Sequence, residues 1–421
     1  MSKTKEKIFS PYQVFIIAII AILQFTVILD FMVLSPLGVI LMKKLTIDPS
    51  KFALVVSGYA FSAGASGLLA AGFADKFDRK KLLMFFYSGF IIGTVLCALA
   101  TNFEFLLFAR IFTGLFGGVI GSIGFAIITD LFQMQQRGRV MGYVQMSFSA
   151  AQVLGIPVGL YLANSFGWEY CFWMIAGFAA IVGVVMLLKM KPINEHLKIQ
   201  QERNAIQHLF HTVSKPQYLF GFAAMSLLAT GGFMLMPFGS AFATHNLGLT
   251  MEQLPLLYLI TGVFSIVVGP LSGKFADKIG KYRMFVIGSV MTMIVVVIYT
   301  SLGTTPFWLA SVISVLLFAA ITARMIPASA LMTAIPSPQD RGAFMSVNSA
   351  TMQISGGIAS VIAGLIVAES STGAILHYDT LGYVVVVSMI AMVAMMYFIN
   401  RNIQRTHASM NVPEAVVIEE Q

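Results

Sequence analysis

The chain has 421 residues, of which 58% are hydrophobic and 10% charged, and it carries a formal net charge of +8. Soluble domains contain about 25% charged residues, so this composition excludes a soluble globular protein and predicts an integral membrane protein in a lipid bilayer. The basic residues lie in short loops between apolar segments, a pattern that argues against nucleic-acid binding. Both cysteines, Cys97 and Cys171, lie inside apolar segments, so we expect neither a disulfide framework nor a metal site.

The apolar segments are long enough to cross a membrane as helices, which need about 20 residues and satisfy their own backbone hydrogen bonds. The first segment follows three lysines and lacks a small-residue cleavage site, so we predict an uncleaved span. Twelve segments qualify as spans. In chain order they are residues 12–41, 52–73, 82–100, 103–128, 140–163, 170–188, 218–244, 253–275, 284–302, 306–333, 343–368 and 381–400.

A charged motif that occurs twice divides the chain into two similar halves. Ala-Asp-Lys-Phe-Asp-Arg-Lys begins at position 74, between the second and third spans, and Ala-Asp-Lys-Ile-Gly-Lys begins at 276, between the eighth and ninth. Their aspartates, Asp75 and Asp277, are 202 residues apart, and an Arg-Gly motif recurs at a spacing of 204. We therefore predict two six-helix repeats, residues 1–188 and 217–400, with a linker at 189–216 and a tail at 401–421.

The distribution of lysine and arginine predicts the orientation in the membrane. Of the 26 basic residues, 21 lie at the termini or in the connections on the same side as the termini, whereas the other side has three: Lys43, Lys44 and Lys51. The remaining two, Arg110 and Arg324, lie within spans. Because cytoplasmic loops retain basic residues, we expect both termini and the linker to be cytoplasmic.

The repeated charged motif resembles that of the major facilitator superfamily, whose consensus is Gly-x-Leu-Ala-Asp-Arg-x-Gly-Arg-Lys. Residues 273–282 match it closely, with Phe in place of Leu and Lys in place of Arg. The first copy keeps Asp75, Arg79 and Lys80 but has Asp78 where the consensus has its second Gly. The resemblance implies an all-α integral membrane fold, with twelve transmembrane helices in two pseudo-symmetric six-helix bundles.

Three further motifs resemble those of the drug and sugar efflux antiporters of this superfamily, including the arabinose-efflux-like group. In the stricter antiporter pattern the Gly and Pro of the third motif are adjacent, which they are not here. The resemblance implies a secondary transporter rather than an enzyme, with no cofactor and a proton gradient as its energy source. The motifs are Leu29-Asp30 with Pro36 in the first span, Arg110 with Gly114 in the fourth, and Gly-Ile-Pro-Val-Gly at 155–159 in the fifth.

Asp30 is the candidate for proton coupling, because an acid inside a membrane helix is costly unless it is protonated, paired or in contact with water. At a rise of about 1.5 Å per residue, Asp30 lies about 27 Å and Arg110 about 20 Å from the predicted cytoplasmic side. The first and fourth helices line one cavity in the resembling family, so we predict that Asp30 and Arg110 pair there. Access of water or substrate would then switch the charge of Asp30. A purely structural ion pair is the alternative.

Charged residues near the predicted cytoplasmic ends are candidates for a gate. In similar transporters such residues form breakable contacts that stabilise the outward-facing state. The alternative is that the basic residues only set the topology. Arg324, inside the tenth span, either extends its side chain to the cytoplasmic surface or pairs with Asp340. The gate candidates are Asp75, Arg79, Arg137, Arg139, Asp277, Lys281, Arg324, Asp340 and Arg341.

Polar residues on apolar helices are candidates for the substrate cavity, although hydrogen bonding to a neighbouring helix is the alternative for each. Gln145 and Gln152 are seven residues apart, so we expect them to share a helix face. The Gly-Gly-Phe-Met-Leu-Met-Pro segment at 231–237 adds flexible apolar side chains, which favour a hydrophobic substrate over a sugar. The cavity candidates are Gln24, Tyr59, Gln145, Gln152, Phe233, Met236, Tyr258, Asn348 and Gln353.

These features predict a multi-pass protein of a bacterial inner membrane that exports a small amphipathic or hydrophobic compound, a drug-like molecule or a sugar, in exchange for protons. A proton symporter or a uniporter that imports a small solute is the alternative. An intramembrane enzyme or a channel is a further alternative, although the spans hold essentially one buried acid. The expected partners are a small-molecule substrate, protons and the bilayer, and we expect a monomer.

Overall fold

The computed structural model describes residues 9–73, 76–198, 213–336 and 340–410. Within these ranges twelve helices are long and apolar enough to cross a membrane, which confirms the predicted number. Because the number is even, the first helix begins and the last helix ends on the same side, here called the terminal end, and the opposite side is called the distal end. The spanning helices α1–α12 are Pro11–Val33, Pro49–Phe73, Arg79–Ala98, Phe103–Leu131, Arg139–Phe166, Glu169–Lys189, Pro216–Asn246, Gln253–Ile279, Lys281–Thr300, Phe307–Met332, Arg341–Ile366 and Tyr378–Met410.

Side-chain caps define where several helices begin. At α1, Ser10 and Gln13 form a reciprocal capping box, and Pro11 occupies the first helical position, where no backbone donor is required. Asp78 accepts from the backbone N–H of the third residue of α3, and Asn102 does the same at α4. These caps satisfy backbone donors that the helix itself leaves free.

The first span is shorter than predicted. The sequence predicted one helix over residues 12–41, but α1 ends at Val33 and a turn separates it from a short helix, Gly38–Leu45. Pro36 explains the break, because a proline has no N–H to donate and disfavours the helical conformation of the residue before it. At the other end of the chain, an unpredicted hairpin, β1 (Ala368–Glu369) with β2 (Ile375–Leu376), separates α11 from α12.

Two spanning helices contain irregular turns. In α5 a π-helical turn, Ala151–Gly155, comes just before Pro157. In α7 a 3₁₀ turn, Met236–Phe238, contains Pro237, and a π-helical turn, Phe242–Asn246, ends the helix. Pro157 and Pro237 have no backbone N–H, so each removes one regular helix hydrogen bond, and irregular turns of this kind occur frequently at functional sites.

The two halves of the chain are in contact at the distal end. Ser50 of α2 donates to the carbonyl oxygen of Gly364 in α11 at 2.6 Å. After α1, Ser35 donates to the carbonyl oxygen of Met236, and Ser240 donates to the carbonyl oxygen of Ser35 at 2.8 Å. One hydrophobic core cluster includes residues of both halves here, such as Phe52 and Phe238. The distal end is therefore closed in this conformation.

Gly118 of α4 lies against the backbone of α2, where a Cβ atom would stand 2.4 Å from the carbonyl oxygen of Ala63. We expect Gly118→Ala to force α2 and α4 apart and to lower the midpoint of thermal unfolding, with a cost of about 1–3 kcal/mol for overpacking. Gly142→Ala in α5 is the matched control, because no atom lies within 4 Å of a Cβ there. Equal midpoints for the two variants would contradict this contact.

Candidate functional site

Asp30 of α1 and Arg110 of α4 form an ion pair inside the first half, as their predicted depths indicated. The Asp30 Oδ2 atom lies 2.7 Å from Nη1 of Arg110, and both side chains are 0% exposed. Thr94 of α3 donates to the Oδ1 atom of Asp30 at 3.4 Å. Three helices therefore hold the carboxylate.

The guanidinium of Arg110 is only partly satisfied by this pair. Its Nε and Nη2 atoms have no hydrogen-bond partner among the residues that the structure describes. The ring of Tyr59, from α2, lies over the guanidinium, with the Arg110 Cζ atom 4.5 Å from the ring centroid. A cation over an aromatic face is attracted by the ring, so Tyr59 stabilises Arg110 without filling its free donors.

Solvent access to the pair differs from the prediction. The sequence placed Asp30 against a wet cavity, whereas here the carboxylate is fully buried. Removing one partner of a buried ion pair costs about 3–5 kcal/mol because the other charge is left uncompensated. Exchange of a proton at Asp30 therefore requires a conformation in which water reaches the carboxylate.

A chain of aromatic rings leads from the ion pair to the second half. The ring centroids of Tyr59 and Phe31 are 5.4 Å apart, and those of Phe31 and Phe233, in α7, are also 5.4 Å apart. Phe31 follows Asp30 directly in α1. Contacts of this length between rings are favourable in tilted geometry, so the three rings pack as one group.

A small cavity adjoins Phe31 and Phe233 between the halves. Among the predicted cavity residues, Phe233 and Met236 line it. The others that line it are apolar or small, and their sequence context held no signal that distinguished them from ordinary core residues. The lining consists of Phe31, Leu34, Ser35, Val56, Phe233, Met236 and Pro237.

The predicted polar residues of the cavity lie elsewhere in the bundle and differ in burial. Gln24 lies beside α4, where a Cβ on Gly121 would stand 3.2 Å from its Nε2 atom. Gln145 is exposed and Gln152 buried, although their spacing predicted a shared face. Gln152 lies in the π-helical turn of α5, which changes the phase of the helix at that point.

The remaining polar candidates lie in α8 and α11. Tyr258 of α8 and Gln353 of α11 are half-buried. Asn348 of α11 is buried, and its Oδ1 atom has no hydrogen-bond partner within the described ranges. None of the three lines the small cavity described above. Their contribution to substrate binding stays a prediction.

Two of the predicted gate residues in the first half make contacts within that half. Arg79, at the start of α3, pairs with Asp130 at the end of α4, with 3.1 Å between Nε and Oδ2. Arg137 donates to the carbonyl oxygens of Phe132 at 3.0 Å and Thr129 at 2.7 Å. These contacts join α3, α4 and the residues just before α5 at the terminal end.

In the second half, Asp340 joins the starts of α7 and α11. Its Oδ2 atom lies 2.5 Å from Nζ of Lys215 and accepts from the hydroxyl of Tyr218 at 2.8 Å. Sequence reasoning missed Lys215, Tyr218 and also Asp130, because each lies far along the chain from its partner.

Other gate candidates are exposed or lie outside the description. Arg139, Asp277 and Lys281 are exposed. Asp75 and the side chain of Arg341 lie outside the described residues, so their predicted contacts stay predictions.

Arg324 of α10 differs from both interpretations of its sequence position. Its side chain is 3% exposed and so does not extend to the surface. It also does not pair with Asp340, and its Nη2 atom donates instead to the carbonyl oxygen of Leu228 in α7 at 3.4 Å. The charge is buried because Arg324 faces the interior of the second half.

Residues 20–322 and 221–415 match the sequence model of the Major Facilitator Superfamily. This match agrees with the twelve spanning helices. The chain belongs to this superfamily. The predicted fold class is confirmed, and the members of this superfamily are membrane transporters rather than enzymes.

Two curated relatives of this major facilitator protein come from Bacillus subtilis (strain 168). An uncharacterized MFS-type transporter, YwfA, is 28% identical over 61% of this chain and 62% of its own length. Multidrug resistance protein 2 is 26% identical over 58% of this chain and 62% of its own length. The chain thus spans about three fifths of the length of these relatives.

A solved structure has the same fold. A bacterial homologue of the human lysosomal transporter Spinster superposes with a TM-score of 0.74 at 16% identity, covering 94% of this chain and 98% of the homologue.

Proposed function

We propose that this protein is a secondary transporter that exports a small amphipathic or hydrophobic molecule in exchange for protons by alternating access. The buried Asp30–Arg110 pair is the observation that carries the proposal. Asp30 is fully buried, whereas the other acids of the twelve described helices are exposed or half-buried, so Asp30 is the acid that a proton can neutralise inside the protein. In this proposal both termini face the cytoplasm of a bacterium, as the basic loops predict.

The chemistry of exchange follows from the pair. An ionised Asp30 holds Arg110 through a charge-assisted hydrogen bond of 2.7 Å. A proton on the carboxylate removes the negative charge, breaks the attraction and leaves donors of the guanidinium free. Since the two protonation states prefer different packing of α1 against α4, proton binding shifts the balance between conformations of the transporter.

The aromatic chain supports communication between this pair and the substrate. The small cavity has room for about one water molecule in this conformation, so a substrate would contact Phe31 and Phe233 only where the two halves move apart. Phe31 contacts Tyr59, which lies on Arg110. The apolar lining favours a hydrophobic or amphipathic substrate, and Met236 adds an adaptable side chain. The name of one relative, Multidrug resistance protein 2, supports the same class of substrate.

The direction of proton movement tests the proposal. Purified protein is reconstituted into vesicles that enclose a pH-sensitive dye, with the membrane potential clamped and protein-free vesicles as the control. Ethidium, tetraphenylphosphonium and arabinose are then added outside in separate experiments. We expect at least one lipophilic cation to make the interior alkaline, because its entry is exchanged for protons.

Other outcomes of this assay contradict proton exchange. Acidification of the interior on addition of a probe shows symport. Counterflow of a labelled probe without any change of internal pH shows uniport.

A further inference from the structure

Arg324 places a positive charge inside the second half without an acidic partner among the described residues. Its Nε and Nη1 atoms have no hydrogen-bond partner there, and its one hydrogen bond, to the carbonyl oxygen of Leu228, is long at 3.4 Å. Arginine keeps its proton in proteins, so the charge persists. A buried cation without a counter-ion is costly, which makes it a functional site by default.

The counter-charge cannot come from the helices that surround Arg324. Within α7–α12 the acids are Asp277 and Asp379, which lie in a last turn and a first turn. Asp340, just before α11, is bound to Lys215 and Tyr218. The deep acid of the first half, Asp30, is already paired with Arg110. No acid among the residues that the structure describes is therefore placed to neutralise Arg324.

Small residues of α7 and α9 lie beside Arg324, and Met389 and Val385 of α12 lie next to the same part of α7. Gly231 of α7 has no side chain of its own, and a Cβ atom at this position would stand 3.5 Å from the Nη2 atom of Arg324. Gly288 lets α9 approach the Arg324 backbone, where a Cβ would stand 2.7 Å from the nitrogen. The next residue, Ser289, has a buried hydroxyl with no partner in the described part of the chain. Unfilled donors and small neighbours suit a compact acceptor.

We propose that Arg324 is the cation of an anion-binding site between α7, α9 and α10 that takes a small monovalent anion, either a halide or a carboxylate group. The anion supplies the counter-charge and accepts hydrogen bonds from Nε and Nη1 of Arg324. Charge-assisted hydrogen bonds of this kind are about twice as strong as neutral ones. The site is separate from the Asp30–Arg110 pair, so the proposal holds whether or not the transporter exchanges protons.

Thermal unfolding of the purified protein tests the site. The midpoint is measured at constant ionic strength in sodium chloride, sodium acetate or sodium isethionate, whose anion is larger and has no carboxylate. We expect chloride or acetate to raise the midpoint saturably above its value in isethionate, because a ligand that binds the folded state stabilises it. A response to chloride assigns a dissolved inorganic anion, and a response to acetate alone assigns the carboxylate of a solute.

Variants separate the site from general salt effects. Arg324→Met is expected to lose the anion dependence, whereas Arg139→Met, at an exposed arginine of α5, is expected to keep it. If Arg324→Met does not fold, the binding of labelled chloride and acetate to the wild-type and Arg324→Lys proteins is measured by equilibrium dialysis. Lysine keeps the positive charge but lacks the planar guanidinium with its several N–H donors, so we expect the affinity for the anion to fall about tenfold or more. The proposal is overturned if neither anion binds saturably, or if binding is undiminished in both Arg324 variants.

Discussion

Asp30→Asn is expected to abolish proton-driven transport while counterflow of unlabelled against labelled substrate continues. The amide has nearly the same shape but cannot take up or release a proton. It also leaves Arg110 without its counter-ion in a site where both side chains are 0% exposed. Breaking a buried pair in this way costs about 3–5 kcal/mol, so we expect the midpoint of thermal unfolding to fall as well. Both transport modes are measured in the same vesicles.

A double variant distinguishes loss of the pair from loss of the proton site. Asp30→Asn with Arg110→Gln removes both charges, so neither is left buried without a counter-charge. We expect the double variant to regain most of the midpoint but none of the proton-driven transport. If the stability losses of Asp30→Asn and Arg110→Gln simply added up in the double variant, the two residues would have no interaction energy. Proton-driven transport by Asp30→Asn would remove Asp30 from the coupling mechanism.

Asp130→Asn is a matched control for the effect of burial. Asp130 pairs with Arg79 at 3.1 Å, but its side chain is 19% exposed, at the terminal end of α4. Water compensates a charge left at such a position, so we expect a smaller loss of stability than for Asp30→Asn. If Asp130→Asn and Asp30→Asn lowered the stability equally, burial would not explain the contribution of the Asp30–Arg110 pair.

Tyr59→Ala is expected to uncouple transport from the proton gradient, whereas Tyr59→Phe is expected to behave like the wild type. The ring lies 4.5 Å from the guanidinium of Arg110 and 5.4 Å from the ring of Phe31, so alanine removes both contacts. Phenylalanine retains the ring and both contacts. Loss of a large buried aromatic side chain costs about 3–5 kcal/mol, which adds a marked decrease in the midpoint of thermal unfolding.

The ratio of proton-driven uptake to counterflow measures this coupling. We expect Tyr59→Ala to lower the ratio about tenfold, within the usual range of allosteric couplings. Phe85→Ala, at an exposed ring of α3, should leave the ratio unchanged. If Tyr59→Ala lowered both activities in proportion, the ring would support folding alone. If Tyr59→Phe matched Tyr59→Ala, the hydroxyl rather than the ring would be the important group.

The spanning helices were predictable because the bilayer imposes a length and an apolar composition on each of them. The predicted span at 170–188 agrees with Glu169–Lys189, and that at 82–100 agrees with Arg79–Ala98. The first span was predicted too long because hydropathy does not detect a turn between apolar residues. The break before Gly38 depends on Pro36, whose local effect overrides the apolar pattern.

The candidate site was predictable only where charge stands out against an apolar background. Asp30 and Arg110 were found by their rarity, and their pairing followed from similar depth in the membrane. Lys215, Tyr218 and Asp130 were missed because their partners are distant in sequence. Phe31 was missed because one phenylalanine among 35 carries no signal of its own.

By itself, the amino-acid sequence determined the membrane environment, the twelve spans and the duplicated organisation, because composition and repetition do not depend on how the helices pack. Only the tertiary structure decided that Asp30 is buried against Arg110, that rings connect this pair to α7, and that Arg324 has no acidic partner among the described residues. These facts depend on which helix faces meet. That choice is made by side chains far apart in the chain, since lipid-facing and core-facing residues are equally apolar in a membrane protein.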